Sequence, residues 1–355
     1  MTTLVLPAKG CKGTKKDQEM KRFAAEIQIV SKSVGFPMSS RGWGYQLEGF
    51  GLINKSQFDV VEGLINDCRK NGMLPIDFTG EEEGRKFSGV EEPDTGSCEQ
   101  FISRYLNAVL GCEYYYTPDW WQDEKYYIQM LVEKIDLKTL FEPVCRKFHI
   151  PIATTKGWGS IHQRAEYGRR YKEAEEDGKI GVLLYCGDHD PPGLRISDHI
   201  RKNLEDLINS RWDDGTEGYN PSNLIIDRFG LNYDFIVENN LTWIDNLLTG
   251  SGNDLAHPKV DKKTGLPKPI EPYVQEYIKR YGARKCEANA LVVRPQQASA
   301  LCRNAIEKYL GPDAKMRFRQ CRQKTNEKFV DARKGMSVNG VSLHDIITGI
   351  LETVS

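Results

Sequence analysis

From residue 126 onward, short apolar stretches alternate with segments of helical periodicity, and this alternation constrains the fold more than any other feature. Residues 126–133, 150–154, 180–186 and 224–229 read as strands, and 138–148, 162–177 and 193–211 as helices. Strands separated by helices are joined by crossovers rather than hairpins. The expected fold class is therefore α/β, with a mostly parallel sheet flanked by helices. In open sheets of this kind, chemistry gathers beyond the carboxyl ends of the strands. That edge is where functional side chains are expected.

The N-terminal third has a different texture. Residues 1–22 read as a flexible basic arm. Phe23, Ile27, Val30 and Val34 recur at helical spacing, so a helix is expected over 23–34. Residues 41–47 lead into a turn at 48–51. Ser56 is the expected N-cap of a helix over 57–70 whose apolar face is Phe58, Val61, Leu64, Ile65 and Cys68. Asn71-Gly72 then turns the chain into a short strand over 73–78. Helix, helix, short strand fits a winged-helix-like domain over 23–95, although three-helix modules that bind no nucleic acid give the same string. Residues 80–96 are a polar, acidic connector, and 98–110 read as a helix within a helical connector over 96–125. Tyr114, Tyr115, Tyr116, Trp120 and Trp121 offer stacking surfaces for bases, but packing between domains is the commoner use of such a cluster. The sheet domain spans 126–312, and a basic helical segment occupies 313–355. Residues 249–271 form a Gly/Pro/Lys loop, either a disordered insertion or a substrate-facing flap.

The chain has 355 residues, about two domains' worth, and 39% hydrophobic residues with 28% charged excludes dominant disorder. No apolar run approaches the ~20 residues that span a bilayer. The N-terminus lacks the apolar core of a secretory signal, so a cytoplasmic protein is expected, nucleoid-associated when bound to DNA. Nine cysteines without a C-x-x-C pair indicate neither a disulfide framework nor a structural zinc site. The net charge of −1 counts against a nucleic-acid binder, but its distribution does not. Residues 1–22 hold six basic against two acidic side chains, and 313–334 eight against three. Two basic ends suit a polyanion, with solvated tails as the plain alternative. Arg317, Arg319 and Arg322 are the candidate DNA contacts of the second.

The most informative segment is GVLLYCGDHDPPG, residues 181–193. On an extended chain Asp188 and Asp190 share a face and His189 takes the other. Two carboxylates held together need a proton or a cation, and a hard divalent ion such as Mg²⁺ is the usual remedy. Glu133, at the end of another strand, is the third candidate ligand. At the next strand end, Gly157 and Gly159 present backbone without Cβ, where a phosphate can approach closely. The plain alternative for the D-x-D is a solvated turn in which an aspartate caps the following helix.

Glu133, Gly157 and GDHDPPG resemble the three signatures of a Toprim domain. The variant is that of the topoisomerase VI A subunit and the meiotic double-strand-break transesterase. TKGWGSIHQR (155–164) resembles that family's second motif, with Lys156, Gly157 and Arg164 as DNA contacts. DRFGLNYDFI (227–236), PYVQEYIKRYG (272–282) and CEANAL (286–291) resemble later segments of related proteins. SSRGWGYQLEG (39–49) resembles the winged-helix segment in which a catalytic tyrosine follows an arginine by four residues, here Arg41 and Tyr45. The run Gly-Trp-Gly-Tyr departs from the family's more apolar pattern. The resemblance covers about residues 25–310.

It implies Mg²⁺- or Mn²⁺-dependent DNA strand cleavage. Tyr45 would attack phosphorus to give a 5′-phosphotyrosyl link and a free 3′-hydroxyl, with Arg41 favouring the phenolate. Glu133, Asp188 and Asp190 would bind the metal, and Glu133 would also handle the proton of the 3′ oxygen. A homodimer is expected, with the complete site formed in trans. Strand passage would need a separate GHKL-type ATPase subunit, and an orphan A-subunit homologue without one also fits. The alternatives are a Toprim nuclease using water, with Tyr45 a core aromatic, and a non-catalytic DNA-binding or assembly module.

Overall fold

The computed structural model describes residues 4–7, 13–32, 34, 36, 38–80, 96–155, 161–249, 252–258, 260, 265 and 268–354. Lys156 and Gly157 lie outside the described residues, as do most of the acidic connector and residues 8–12 of the basic arm. The chain divides into two units, residues 1–85 with 126–309 and residues 86–125 with 310–355.

Three helices open the first unit. Helix α1 (Gly13–Ser31) buries Met20, Phe23, Ala24, Ile27 and Val30. It starts at Gly13, so residues 13–22 of the expected flexible arm are helical. Residues 14–22 contain no glycine or proline, and Lys21 pairs with Asp17, and Arg22 with Glu26, one turn apart. In α2 (Ser40–Gly49) the Ser39 hydroxyl caps the first turn by accepting from Gly42 N–H at 3.1 Å. Both the amide and the hydroxyl of Ser39 in turn donate to the Asp136 carboxylate, at 2.7 and 2.6 Å. Helix α3 (Phe58–Lys70) buries Phe58, Val61, Ile65 and Cys68. The Ser56 cap is corrected: Ser56 sits inside a 3₁₀ turn, Lys55–Gln57, whose start is closed by Asn54 N–H on Gln57 Oε1 at 2.8 Å. The strand expected over 73–78 is also corrected. Met73 and Leu74 N–H both return to Cys68 O at 2.9 and 3.2 Å, Arg69 Nε donates to Ile76 O at 2.8 Å, and Pro75 has no donor. With its backbone groups satisfied locally, the segment turns instead of extending. Helix α4 (Cys98–Leu110) belongs to the second unit.

The sheet follows the expected alternation: β1 (Tyr126–Val132), α5 (Ile135–Lys147), β2 (Ile152–Thr154), α6 (Ile161–Glu176), β3 (Ile180–Cys186), α7 (Pro191–Leu194), α8 (Ile196–Glu205) and β4 (Ile225–Gly230). The order is β2-β1-β3-β4 and every pairing is parallel. The helix expected over 193–211 is two pieces, because Arg195 leaves helical geometry at φ −105°, ψ 11°, and α8 ends at Glu205. Side chains alternate across the sheet. Leu131, Leu183 and Tyr185 join Tyr167, Tyr171, Ile200 and Leu204 in one core. On the opposite parity, Met130 Sδ lies 3.5 Å from Cys145 and 3.9 Å from Cys302. Helices α9 (Tyr233–Glu238), α10 (Pro272–Tyr281) and α11 (Pro295–Glu307) complete the unit, with a 3₁₀ turn at Ala288–Val293. Of the loop over 249–271, the described Leu255 and Ala256 pack on a core of Leu247, Val274 and Tyr277.

In the second unit α4 is joined by α12 (Ala314–Gly335), a hairpin of β5 (Ser337–Val338) and β6 (Val341–Ser342), and α13 (Leu343–Val354). The hairpin turns on Asn339 and Gly340, both at positive φ. Trp120 stacks on Phe318 with ring centroids 4.1 Å apart, and Arg333 grips buried Glu113 with both Nη atoms. Among the described residues no helix is long and apolar enough to cross a membrane.

Candidate functional site

β1 connects to β2 on one side while β3 pairs with its other side, so the carboxyl ends of β1 and β3 flank a topological switch point, where open sheets form ligand crevices. Glu133 follows β1 directly and Asp188 follows β3 after Gly187. The two ends are laced together: Glu133 N–H donates to Cys186 O at 2.9 Å, and Asp188 N–H to Glu133 Oε2 at 2.7 Å. Gly187 permits this approach, since a Cβ there would lie 2.3 Å from Tyr185 Oη and 2.7 Å from Glu133 Oε2. Lys134 Nζ then sits 2.7 Å from Glu133 Oε1 and 3.1 Å from Asp188 Oδ2. The remaining Asp188 oxygen accepts Ala288 N–H at 2.7 Å. The cation that two converging carboxylates require is here the chain's own ammonium.

Burial and the Glu133 charge push the Asp188 carboxyl up to about 7. Burial acts on Glu133 in the same sense, but the Lys134 charge and the Asp188 amide outweigh it and hold Glu133 below the usual carboxylate range. Lys134 is itself raised, because the attraction of Asp188 and Glu133 overcomes its burial. Glu133 is therefore the ionised member of the pair, and Asp188 is poised to lose its proton near neutral pH.

Asp190 behaves differently. Its backbone is extended (φ −146°, ψ 170°), and its Oδ1 accepts Gly193 N–H at 2.6 Å and caps α7. His189 forms a two-way backbone bridge with Cys286, at 2.8 and 3.1 Å, and Pro191 opens a helix immediately after Asp190. Among the described residues no group of three or more His, Cys, Asp or Glu side chains is arranged to hold a metal ion. The donor chemistry for a divalent ion nevertheless fits. Mg²⁺ needs only one or two carboxylates alongside water and phosphate oxygens, and Glu133 and Asp188 direct oxygens at one cation position. Asp190 lines the same cavity as Glu133, about 440 Å³ in volume, together with Thr155, Arg164, His199 and Asn203. Arg164 Nη1 donates to Asn203 O at 3.1 Å on the cavity wall.

The loop is held by a residue that periodicity does not reveal. Half-buried Arg228 on β4 donates to the carbonyls of Asp188, Gly193 and Leu231 at 2.9 to 3.0 Å. His189 turns away into an aromatic enclosure of Tyr233, Trp243, Tyr277 and Tyr281, with Nδ1 2.9 Å from Tyr277 Oη. Burial and the neighbouring Arg228 charge lower its pKa to about 4.

Tyr45 is buried, with 1% of its surface exposed. Its hydroxyl donates to the Glu287 carboxylate, and Lys55 Nζ lies 3.4 Å from Oη and 4.5 Å from the ring centroid. The glycine-rich departure around it has a packing cause: a Cβ on Gly44 would come within 2.9 Å of the Phe58 ring. Arg41 does not reach the phenol; its Nη1 is 3.2 Å from Glu62 and 3.4 Å from Asp59. Burial, then Glu287, raises the Tyr45 pKa far above that of a free phenol, against a smaller lowering by Arg41. Tyr45 does not line the carboxylate cavity. It lies in the same unit, one residue removed from the acids: Glu287 holds the phenol and the next residue, Ala288, holds Asp188.

In the second unit Arg317 pairs with Glu124, which also accepts Gly311 N–H at 2.8 Å. That guanidinium anchors the start of α12, whereas Arg319 and Arg322 line a separate concavity with Tyr114 and Asn326. No family model, curated protein or solved structure matches the chain.

The ammonium bridge makes a testable demand. Lys134→Met leaves half-buried Glu133 and buried Asp188 facing each other without their cation and costs about 2 kcal/mol of stability, less than for a fully buried pair because Lys134 and Glu133 are partly exposed. Millimolar Mg²⁺ should restore much of this loss, because a ligand of the native state stabilises by mass action. Thermal melts with and without Mg²⁺ test this: a larger upward shift in the variant than in the parent is expected, and equal shifts would contradict the shared cation position.

Proposed function

We propose that this chain cleaves DNA strands by metal-dependent phosphoryl transfer, as a Toprim protein of the topoisomerase VI A type, with Tyr45 as the nucleophile. The observation that carries the reading is the convergence of Glu133 and Asp188 on one cation position at the switch point of a parallel sheet. The motif resemblance around Glu133, Asp188 and Tyr45 supplies the substrate class. Glu133 and Asp188 would hold Mg²⁺ or Mn²⁺, and what such an ion supplies there is neutralisation of phosphate charge. Tyr45 would form the bond to phosphorus as the 3′ oxygen departs, and Glu133 would manage the proton of that oxygen when cleavage reverses. Arg164 on the cavity wall suits a backbone phosphate. Helices α1–α3 form the winged-helix-like DNA-docking module of this reading, without a strand over 73–78. A homodimer would place one site on each strand, and a separate GHKL-type ATPase would couple cleavage to strand passage.

A second reading, hydrolysis by water at the same carboxylates, is favoured by the burial of the Tyr45 hydroxyl against Glu287. Incubation with supercoiled plasmid and Mg²⁺ separates the two. Breaks retained as protein–DNA adducts until protease treatment support the tyrosine, and freely migrating breaks support water. Intact plasmid under both Mg²⁺ and Mn²⁺ would contradict both.

A further inference from the structure

We propose that Glu287 is the catalytic base that removes the Tyr45 phenol proton and that Lys55 stabilises the resulting phenolate, an inference that rests on the tyrosine reading above. A phenol ionises near pH 10 in water and is a weak nucleophile below that. Here it is also buried, which makes loss of its proton to solvent harder still. A base must therefore touch the oxygen. The Glu287 carboxylate does so, accepting the Tyr45 O–H directly. The bond joins residues 242 positions apart, so it follows from the tertiary fold.

The surroundings suit both ends of the transfer. Lys55 Nζ lies 3.4 Å from Oη and over the ring, where a charge developing on oxygen is stabilised. Lys285 Nζ lies 4.0 Å from Glu287. Burial disfavours the Glu287 charge, but the Tyr45 hydroxyl, Lys55 and Lys285 outweigh it and keep the carboxylate ionised and ready to accept. Arg41, the residue that spacing alone offers for phenol activation, is engaged by Glu62 and Asp59. The adjoining Ala288 N–H fixes Asp188, so base and cation position are set by neighbouring residues of one short segment.

The step balances without a co-reactant beyond water. The Tyr45 O–H bond breaks and its proton passes to the Glu287 carboxylate. The Oη–P bond forms, the P–O3′ bond breaks with its electron pair on O3′, O3′ takes a proton from a water at Glu133, and the hydroxide left is neutralised by the proton that Glu287 returns to solvent. Religation runs the same transfers in reverse.

Single-turnover formation of the covalent adduct on a labelled duplex with Mg²⁺ tests this, using the full chain. Glu287→Gln, which preserves volume, should slow adduct formation about 10²- to 10³-fold with DNA affinity unchanged. Glu287→Asp, which keeps a carboxylate, should recover part of the rate. Placing trifluorotyrosine at position 45 of the Gln variant should recover at least tenfold, because its more acidic phenol needs less help from a base. A purely structural role would give no such recovery. An unchanged rate in Glu287→Gln, or a loss that neither the Asp variant nor the fluorinated phenol relieves, overturns the assignment. A parent protein that cuts DNA without a Tyr45-linked adduct overturns the tyrosine reading itself and this inference with it.

Discussion

Glu133→Gln combined with Asp188→Asn should lower the proposed Mg²⁺-dependent cleavage of supercoiled plasmid by at least about 10³-fold. The substitutions keep the size of both side chains and remove the two carboxyl groups that meet at Lys134. Metal-assisted charge neutralisation is worth several kcal/mol, and about 4 kcal/mol at ~1.4 kcal/mol per decade gives that factor. Asp190→Asn is the internal comparison. Its carboxylate caps α7 through Gly193 and does not touch Lys134, so a loss of only about tenfold is expected. Initial nicking rates across a Mg²⁺ titration measure both. A double variant that cuts at the parental rate, with the fold intact, would remove the carboxylates from the chemistry.

Tyr45→Phe should abolish the proposed covalent protein–DNA adduct, a fall of more than about 10³-fold, because no other atom of residue 45 can take the place of Oη in the phosphodiester link. The structural consequence is small by comparison. Phenylalanine preserves the packing against Phe58, whose ring meets that of Tyr45 edge-on with centroids 4.9 Å apart. The lost hydrogen bond to Glu287 costs about 1 kcal/mol, since Lys55 and Lys285 remain nearby to balance the carboxylate. Adducts resolved on denaturing gels, with a melting curve for each protein, report the two effects separately. Undiminished adduct in Tyr45→Phe would transfer the nucleophile's role to another side chain. Undiminished cutting without any adduct would favour water.

The two central strands, β1 and β3, are legible in the sequence because they are largely apolar and bounded by charged residues or glycine. Ile180–Cys186 is recovered residue for residue, and β1 stops one residue before Glu133. What escapes is set by local competition for backbone groups. Residues 73–78 have the composition of a strand, but Cys68 O and Arg69 capture their hydrogen bonds. Arg195 interrupts a helix that composition alone would carry through, and the Asn339-Gly340 hairpin divides the basic C-terminal segment.

The site divides along the same line. Glu133 and Asp188 are findable because a strand end fixes their place. Lys134 was findable in principle, as the residue next to Glu133, by asking which cation the carboxylates already possess. The plain alternative for Asp190, a helix cap, is present in the structure through Oδ1. Glu287 leaves no trace in spacing, since its partner lies 242 residues away, and Lys55 acquires meaning only once α2 is folded against its neighbours.

The central claim is that Glu133 and Asp188 define one position for a divalent cation. Titration of the full chain with Mn²⁺, followed by electron paramagnetic resonance of the free ion, tests it most directly. One Mn²⁺ bound per chain in the parent, and none at the same concentrations in Glu133→Gln with Asp188→Asn, is the predicted result. Equal binding by the two proteins, or none by the parent, would contradict it.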